Sequence, residues 1–285
     1  MIDTNFLHQL DKFSLIINKR VTSNYSGERH SQEKGRGLVF KDHQIYVPGE
    51  DFRSIDWKVF ARTDKLFIKR FEEERNLTVH ILVDFSASMN FGRGRHKKSE
   101  FASMIGLGFA YMALKNNERF VLSTFSDRLE FFKPRRGKKQ IMSIVDFLGH
   151  KKPKGDMKLD EASALYKKKV SKQRSLMVII SDFLFPVEEI KSCLYRFKDN
   201  DLILIQVLDV VERTLNIEGD LRLLDLETNA HMRTYISPYL KKHYSQMLND
   251  HIARIDQACD AVGAEFYSAN TGQDIFDVFY DVLGG

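Results

Sequence analysis

An aspartate and two serines at two-residue steps, Asp84-Phe-Ser86-Ala-Ser88, can turn a carboxylate and two hydroxyls toward one point. They follow the apolar run VHILV, and a second acid, Asp182, follows LMVIIS. In an extended or loop backbone, residues two apart face the same side. Carboxylate and hydroxyl oxygens are hard donors, which suit Mg2+, Mn2+ or Ca2+ and suit zinc poorly. The competing reading is structural: these side chains satisfy orphan backbone groups at a strand end, or cap the next helix. Two acids at the ends of two buried strands favour the metal.

Such a site needs strands that deliver both acids to one edge. From residue 77 onward, apolar runs of strand length alternate with stretches long enough for helices. Strands are expected over residues 77–83, 120–125, 176–180, 202–208 and 265–267, with a hairpin near 221–235. Helices are expected over 99–115, 138–148, 159–169, 187–197, 238–262 and 273–283. Near-continuous runs such as LMVII and LILIQVL suit strands covered on both faces, and strand-helix alternation implies a mainly parallel sheet. The fold expected is a doubly wound α/β domain over residues 77–285, preceded by an N-terminal α+β extension over 1–76. In open sheets of this kind ligands bind beyond the carboxyl ends of the strands, where strand order reverses. In the extension, residues 4–19 carry the apolar spacing of an amphipathic helix, and strand-like runs over 38–47 and 66–71 flank a dense segment, YVPGEDFRSIDWKVFART.

Composition narrows the functional classes. The chain has 285 residues, 43% of them hydrophobic, enough to bury a core without staples. Its two cysteines, Cys193 and Cys259, form no CxxC, and no HExxH occurs among the nine histidines. Neither a disulfide framework nor a zinc centre is indicated. The start, MIDTNFLHQLDKFSLIINKR, has polar residues throughout, so neither a signal peptide nor a membrane span is expected, and a cytoplasmic location follows. A net charge of +5 admits an anionic partner, with basic residues clustered over 93–98, 133–139, 151–158 and 167–174. Without interleaved aromatic residues these read as solvated surface rather than as a nucleic-acid site, which stays the third functional reading.

The motif Asp84-Phe-Ser86-Ala-Ser88-Met89 resembles the metal-ion-dependent adhesion site of von Willebrand factor A domains, and Ser181-Asp182 lies where that family has its second acid. A longer pattern is more specific. Gly35-Arg-Gly37, then Tyr46-Val-Pro48-Gly49-Glu50-Asp51-Phe-Arg53-Ser-Ile55-Asp56-Trp57, Ala61-Arg62, Lys69 and Glu72 to Glu74 resemble the signature of domain-of-unknown-function family 58. The resemblance implies a bacterial, non-catalytic protein. It would act as an adaptor or co-chaperone-like partner of a MoxR-type AAA+ ATPase, with other A-type domain proteins as further partners. It also implies Mg2+ or Mn2+, with Ca2+ as the other hard cation, held by Asp84, Ser86 and Ser88, with Asp182 direct or through water. One departure stands out. Where A-type domains place a ligand threonine, this chain reads Gly155-Asp156-Met157-Lys158-Leu159-Asp160, so Met157 or Lys158 takes its region and Asp156 or Asp160 would have to substitute.

The signature has a physical reading of its own. Asp51, Arg53, Asp56 and Arg62 interleave opposite charges around Trp57, which suits paired hydrogen bonds about a packed indole at a junction between extension and A-type domain. The alternative is that the arginines face a partner. An enzyme reading, as a metal-dependent hydrolase or phosphotransferase, comes second. Aspartyl-phosphate enzymes place a second aspartate two residues after the first, and here that residue is Ser86, a poor acid-base group near neutral pH. A phosphate-binding loop also fails, because Lys98-Ser99 is preceded by Lys97 where glycine is required.

Overall fold

The computed structural model describes Phe6, Gln9, Leu10 and residues 38–73, 78–92, 97–133, 140–155, 157–170, 175–217, 219–224 and 231–284. The chain forms two compact units, one of residues 26–76 and one of residues 1–25 with 77–285.

In the smaller unit, β1 (Leu38–Ile45) pairs antiparallel with β2 (Phe67–Glu73), with a register shift between Phe40 and Asp42. Between them lies α1 (Trp57–Thr63). Asp56 starts this helix by accepting hydrogen bonds from the Lys58 and Val59 amides, at 3.0 and 3.4 Å. Asp64, in the left-handed region at φ 51°, ends it. The charge pairing expected within the signature is realised differently. Asp56 meets His43 Nε2 at 3.0 Å and Lys69 Nζ at 3.4 Å, and Asp51 accepts from the Arg53 amide. Arg62 Nε donates to the Lys58 carbonyl, and Arg53 lies over the Phe52 ring.

The packed indole is a correction. Trp57 is 59% exposed, and its ring neighbour is Phe60, edge-on at 6.0 Å. A fully buried tryptophan would lose about 3–5 kcal/mol on truncation. Trp57→Ala is instead expected to change the unfolding free energy by about 1 kcal/mol or less, read from denaturant melts.

The larger unit is built on a six-stranded sheet in the order β10-β7-β6-β3-β4-β5. Its strands are β3 (Thr78–Asp84), β4 (Arg119–Phe125), β5 (Leu129–Phe131), β6 (Leu176–Ser181), β7 (Asp201–Leu208) and β10 (Glu265–Asn270). All pairings are parallel except β4 with the short edge strand β5. The doubly wound α/β plan expected from the sequence is the plan observed. β6 is buried along its whole length and β3 after its first residue, as continuous apolar runs require.

One layer contains α2 (Lys98–Lys115), α3 (Gln140–Gly149) and α8 (Ile275–Gly284), packed with Val79, Ile81 and Val83 of β3. Phe6 and Leu10 are buried in the same cluster. The other layer contains α4 (Leu159–Lys169), α5 (Val187–Phe197) and the long α7 (Pro238–Asp260), against Leu82, Met177, Ile179 and Leu204. Two further elements precede α7: the short α6 (Val210–Thr214) and the antiparallel pair β8 (Gly219–Leu224) and β9 (His231–Ile236). Cys193 and Cys259 are free and buried, and desolvation pushes both thiols up to about 12. Among the described residues, no helix is long and apolar enough to cross a membrane.

Glycines set α2 tightly against β3 and α8. A methyl group on Gly106 would come within 2.9 Å of Val83 Cγ2, and one on Gly108 within 2.1 Å of Phe279 Cζ. A helix that follows a parallel strand begins at that strand's carboxyl edge, so the first turn of α2 faces the ends of β3 and β6.

Candidate functional site

Strand order reverses between β3 and β6, since β4 lies on one side of β3 and β6 and β7 lie on the other. The crevice of this sheet is therefore at the carboxyl ends of those two strands. Asp84 ends β3, Ser181 ends β6, and Asp182 follows. All three are buried. The next residue, Phe183, is in the left-handed region at φ 50°, an uncommon conformation for a bulky side chain. It turns the chain sharply at the strand end, and its carbonyl lies 2.8 Å from His251 Nε2 of α7.

The structure brings Asp84, Ser86, Ser88 and Asp182 into one hydrogen-bonded chain. One Asp84 oxygen accepts from the Ser86 amide at 2.7 Å, and the other from Ser181 Oγ at 2.6 Å. Ser86 Oγ and Ser88 Oγ are 3.1 Å apart, and Ser88 Oγ donates to Asp182 Oδ2 at 2.8 Å. Asp182 Oδ1 accepts from the Leu184 amide at 3.2 Å, and its carbonyl accepts from Gln206 Nε2 at 2.9 Å. Burial raises the pKa of Asp84 well above the carboxylate range, and the nearby charge of Asp182 adds to the rise. The backbone-satisfying role weighed for Asp84 is thus part of what it does.

A further group joins the cluster. Lys98, the first residue of α2, is fully buried, contrary to the exposed position expected for its basic run. Its Nζ donates to the same Asp182 Oδ2 at 2.9 Å and to Glu212 Oε1 at 2.8 Å. Burial pulls the ammonium's pKa down, but the charges of Asp182 and Glu212 together outweigh it, so Lys98 titrates above the ordinary lysine range. A cation at a helix N-terminus also opposes the helix dipole, so these carboxylates are needed twice over. Glu212 is placed by α6. Asp209 caps that helix, and Glu212 Oε2 accepts from the Asp209 amide in a reciprocal capping box.

The loop expected to supply a third ligand does lie against this site. Ala87 N donates to the Gly155 carbonyl at 2.9 Å, and Lys154 N to the Phe85 carbonyl at 2.9 Å. Gly155 is at φ 75°, with the Asp127 backbone 2.8 Å from where a Cβ would stand, so only glycine lets the loop approach. Asp156 lies outside the described residues. Met157 packs against the apolar core, and Asp160 turns away to Ser192 and to Arg196, 2.8 Å distant. Neither brings an oxygen to Asp84.

A divalent cation fits this arrangement poorly. The donor atoms are of the right hardness, but they are already bonded to one another, and the cationic position beside Asp182 holds an ammonium. Among the described residues, neither serine hydroxyl has a histidine partner, and Asp182 is engaged by Ser88, Lys98 and an amide. A groove of about 850 Å³ runs along the β5 edge, lined by residues such as Arg128, Phe131, Phe147, His150 and Lys151. It does not include the cluster, and Lys151 is paired there with Glu130 at 2.5 Å.

Lys98 and Glu212 are the site residues that sequence reasoning missed. In the sequence Lys98 reads only as the end of a solvated basic run or as the lysine of a failed phosphate-binding loop. Glu212 had a usable signal, an aspartate three residues before it, directly after an apolar strand.

Uncharacterized proteins of Mycobacterium tuberculosis (Rv1480) and Mycobacterium bovis (Mb1516) are each 24% identical over 276 residues, covering 95% of this chain and 87% of theirs. Solved structures that match the chain include BatB from Bacteroides thetaiotaomicron, 14% identical, with TM-score 0.42 and 73% of this chain and 98% of that one covered. A von Willebrand factor type A protein from Catenulispora acidiphila is 8% identical, with TM-score 0.43 and coverage of 76% and 43%. The model of the family described as protein of unknown function DUF58 matches residues 42–254, so the chain belongs to that family.

Proposed function

We propose that this chain is a non-catalytic protein-interaction module, an adaptor or co-chaperone-like partner of a MoxR-type AAA+ ATPase, that docks through the rim of its sheet crevice. The observation that carries the binding surface is a set of exposed apolar side chains around a self-satisfied polar cluster. Phe91 follows β3, Leu184 follows β6 and Val210 follows β7, and they are 36%, 47% and 43% exposed. These are the loops that hold Ser88, Asp182 and Glu212. Exposed apolar groups on loops held by a rigid scaffold, rimmed by polar residues, are typical of protein-binding sites. The class of partner rests on the family resemblance of the signature segment.

The test is a pull-down with the cognate ATPase in each nucleotide state. Wild type should be retained, and Leu184→Asp should weaken binding by about tenfold or more, because it puts a desolvated charge into the contact. Failure of wild type to bind under any nucleotide condition would remove the partnership. Undiminished binding by Leu184→Asp would move the contact away from this rim.

A further inference from the structure

We infer that the cation of the Asp84–Asp182 cluster is the ammonium of Lys98, and that this crevice works without a divalent metal. The inference concerns the chain's own residues and holds whichever partner uses the rim.

Three observations carry it. First, Lys98 Nζ sits between two carboxylates, 2.9 Å from Asp182 Oδ2 and 2.8 Å from Glu212 Oε1, with the lysine side chain fully buried. This supplies from within the chain the positive charge that buried acids require. Second, the oxygens that would bind a metal are committed. Asp182 Oδ2 accepts from Ser88 and Lys98 together, and each Asp84 oxygen accepts a hydrogen bond of its own. A metal would have to break these bonds and share Asp182 with a fixed like charge in a site shielded from water. Third, the position of Lys98 is built in. Its amide donates to the Phe91 carbonyl at 3.1 Å, and the helix behind it is seated on Val83 and Phe279 through Gly106 and Gly108.

The consequence is a rim that is permanently assembled. Lys98 links Asp182 after β6 to Glu212 after β7, and Asp182 in turn holds Ser88 after β3. A metal-dependent site acquires such cross-links only when loaded, whereas here they come with folding. Binding at this rim would therefore be indifferent to chelators.

The test uses the purified chain and Mn2+ alone, with uptake read from loss of the free-ion paramagnetic resonance signal and from thermal shift. Wild type and Lys98→Arg should take up no Mn2+ at the cluster. Lys98→Ala, with the ammonium gone and the oxygens free to turn, should bind Mn2+ at least about tenfold more tightly than wild type. Adding Asp182→Asn to it should abolish that gain. Uptake by wild type that Asp84→Ala removes would overturn the inference, as would a folded Lys98→Ala that binds no Mn2+. If Lys98→Ala does not fold, the wild-type arm decides: uptake removed by Asp84→Ala overturns the inference. No uptake, or uptake that survives Asp84→Ala, supports a metal-free cluster.

Discussion

Lys98→Met is expected to lower the unfolding free energy by about 3–5 kcal/mol, because it leaves two carboxylates without their counter-charge. The ammonium is fully buried, Asp182 has 2% of its side chain accessible and Glu212 has 17%, so solvent cannot take its place without opening the crevice. Methionine keeps most of the stem's volume, so the loss reports the charge rather than a cavity. For a chain of this size the melting temperature should fall by roughly 10 °C. Removing the orphaned charges as well, by adding Asp182→Asn and Glu212→Gln, should recover part of the loss, since uncompensated buried charge is what destabilises. Thermal melts of the three proteins decide the matter. An unchanged melting temperature for Lys98→Met would mean that water reaches the carboxylates.

The second large effect is acid destabilisation through His80. This residue sits within β3, 4% exposed, with Nδ1 2.9 Å from the Tyr166 hydroxyl. Burial lowers its pKa from 6.5 to about 4. A histidine depressed in the folded state contributes stability that is present above the unfolded value and lost as pH falls through the folded one. The window is therefore pH 6.5 down to about 4, and the loss across it is about 3 kcal/mol. His80→Gln keeps a polar group near Tyr166 without the titration, so the stability of wild type relative to this variant should fall by about 3 kcal/mol between pH 6.5 and about 4. Asp84 acts in the opposite sense. Its carboxyl is raised, so its contribution is present in acid and lost as pH rises above the ordinary carboxylate range. Urea unfolding of wild type and His80→Gln at several pH values isolates the histidine. Parallel curves would show that His80 is protonated without opening the core.

Most of the α/β framework was legible in the sequence, because it rests on short-range regularities. LMVIIS and LILIQVL had to be strands covered on both faces, and both are buried in the observed sheet. The edge strand β5 was not foreseen, since a three-residue run has too few positions to show a period. The helix α1 falls within the dense segment between the two strand-like runs, which shows no helical period, although Asp56 before Trp57 is an ordinary helix start. Mixed charges around a tryptophan suggest a buried knot, whereas Trp57 stands 59% exposed at the start of this helix.

What the sequence determined by itself was the strand order along the chain and the presence of acids and hydroxyls at the ends of β3 and β6. Strand periodicity and side-chain type are local properties, and they suffice to place Asp84, Ser86, Ser88 and Asp182 near one edge. What only the tertiary structure decided was which charge completes that cluster. Lys98 is 84 residues from Asp182 and 114 from Glu212 in sequence. No local pattern distinguishes a lysine at a helix start that faces solvent from one that faces two buried carboxylates. The difference arises from where α2 is seated against β3 and α8, which glycine contacts with Val83 and Phe279 settle, and from a capping box at the start of α6 that aims Glu212 inward. Packing over long sequence separations turned a motif that resembles a metal site into a cluster holding its own cation.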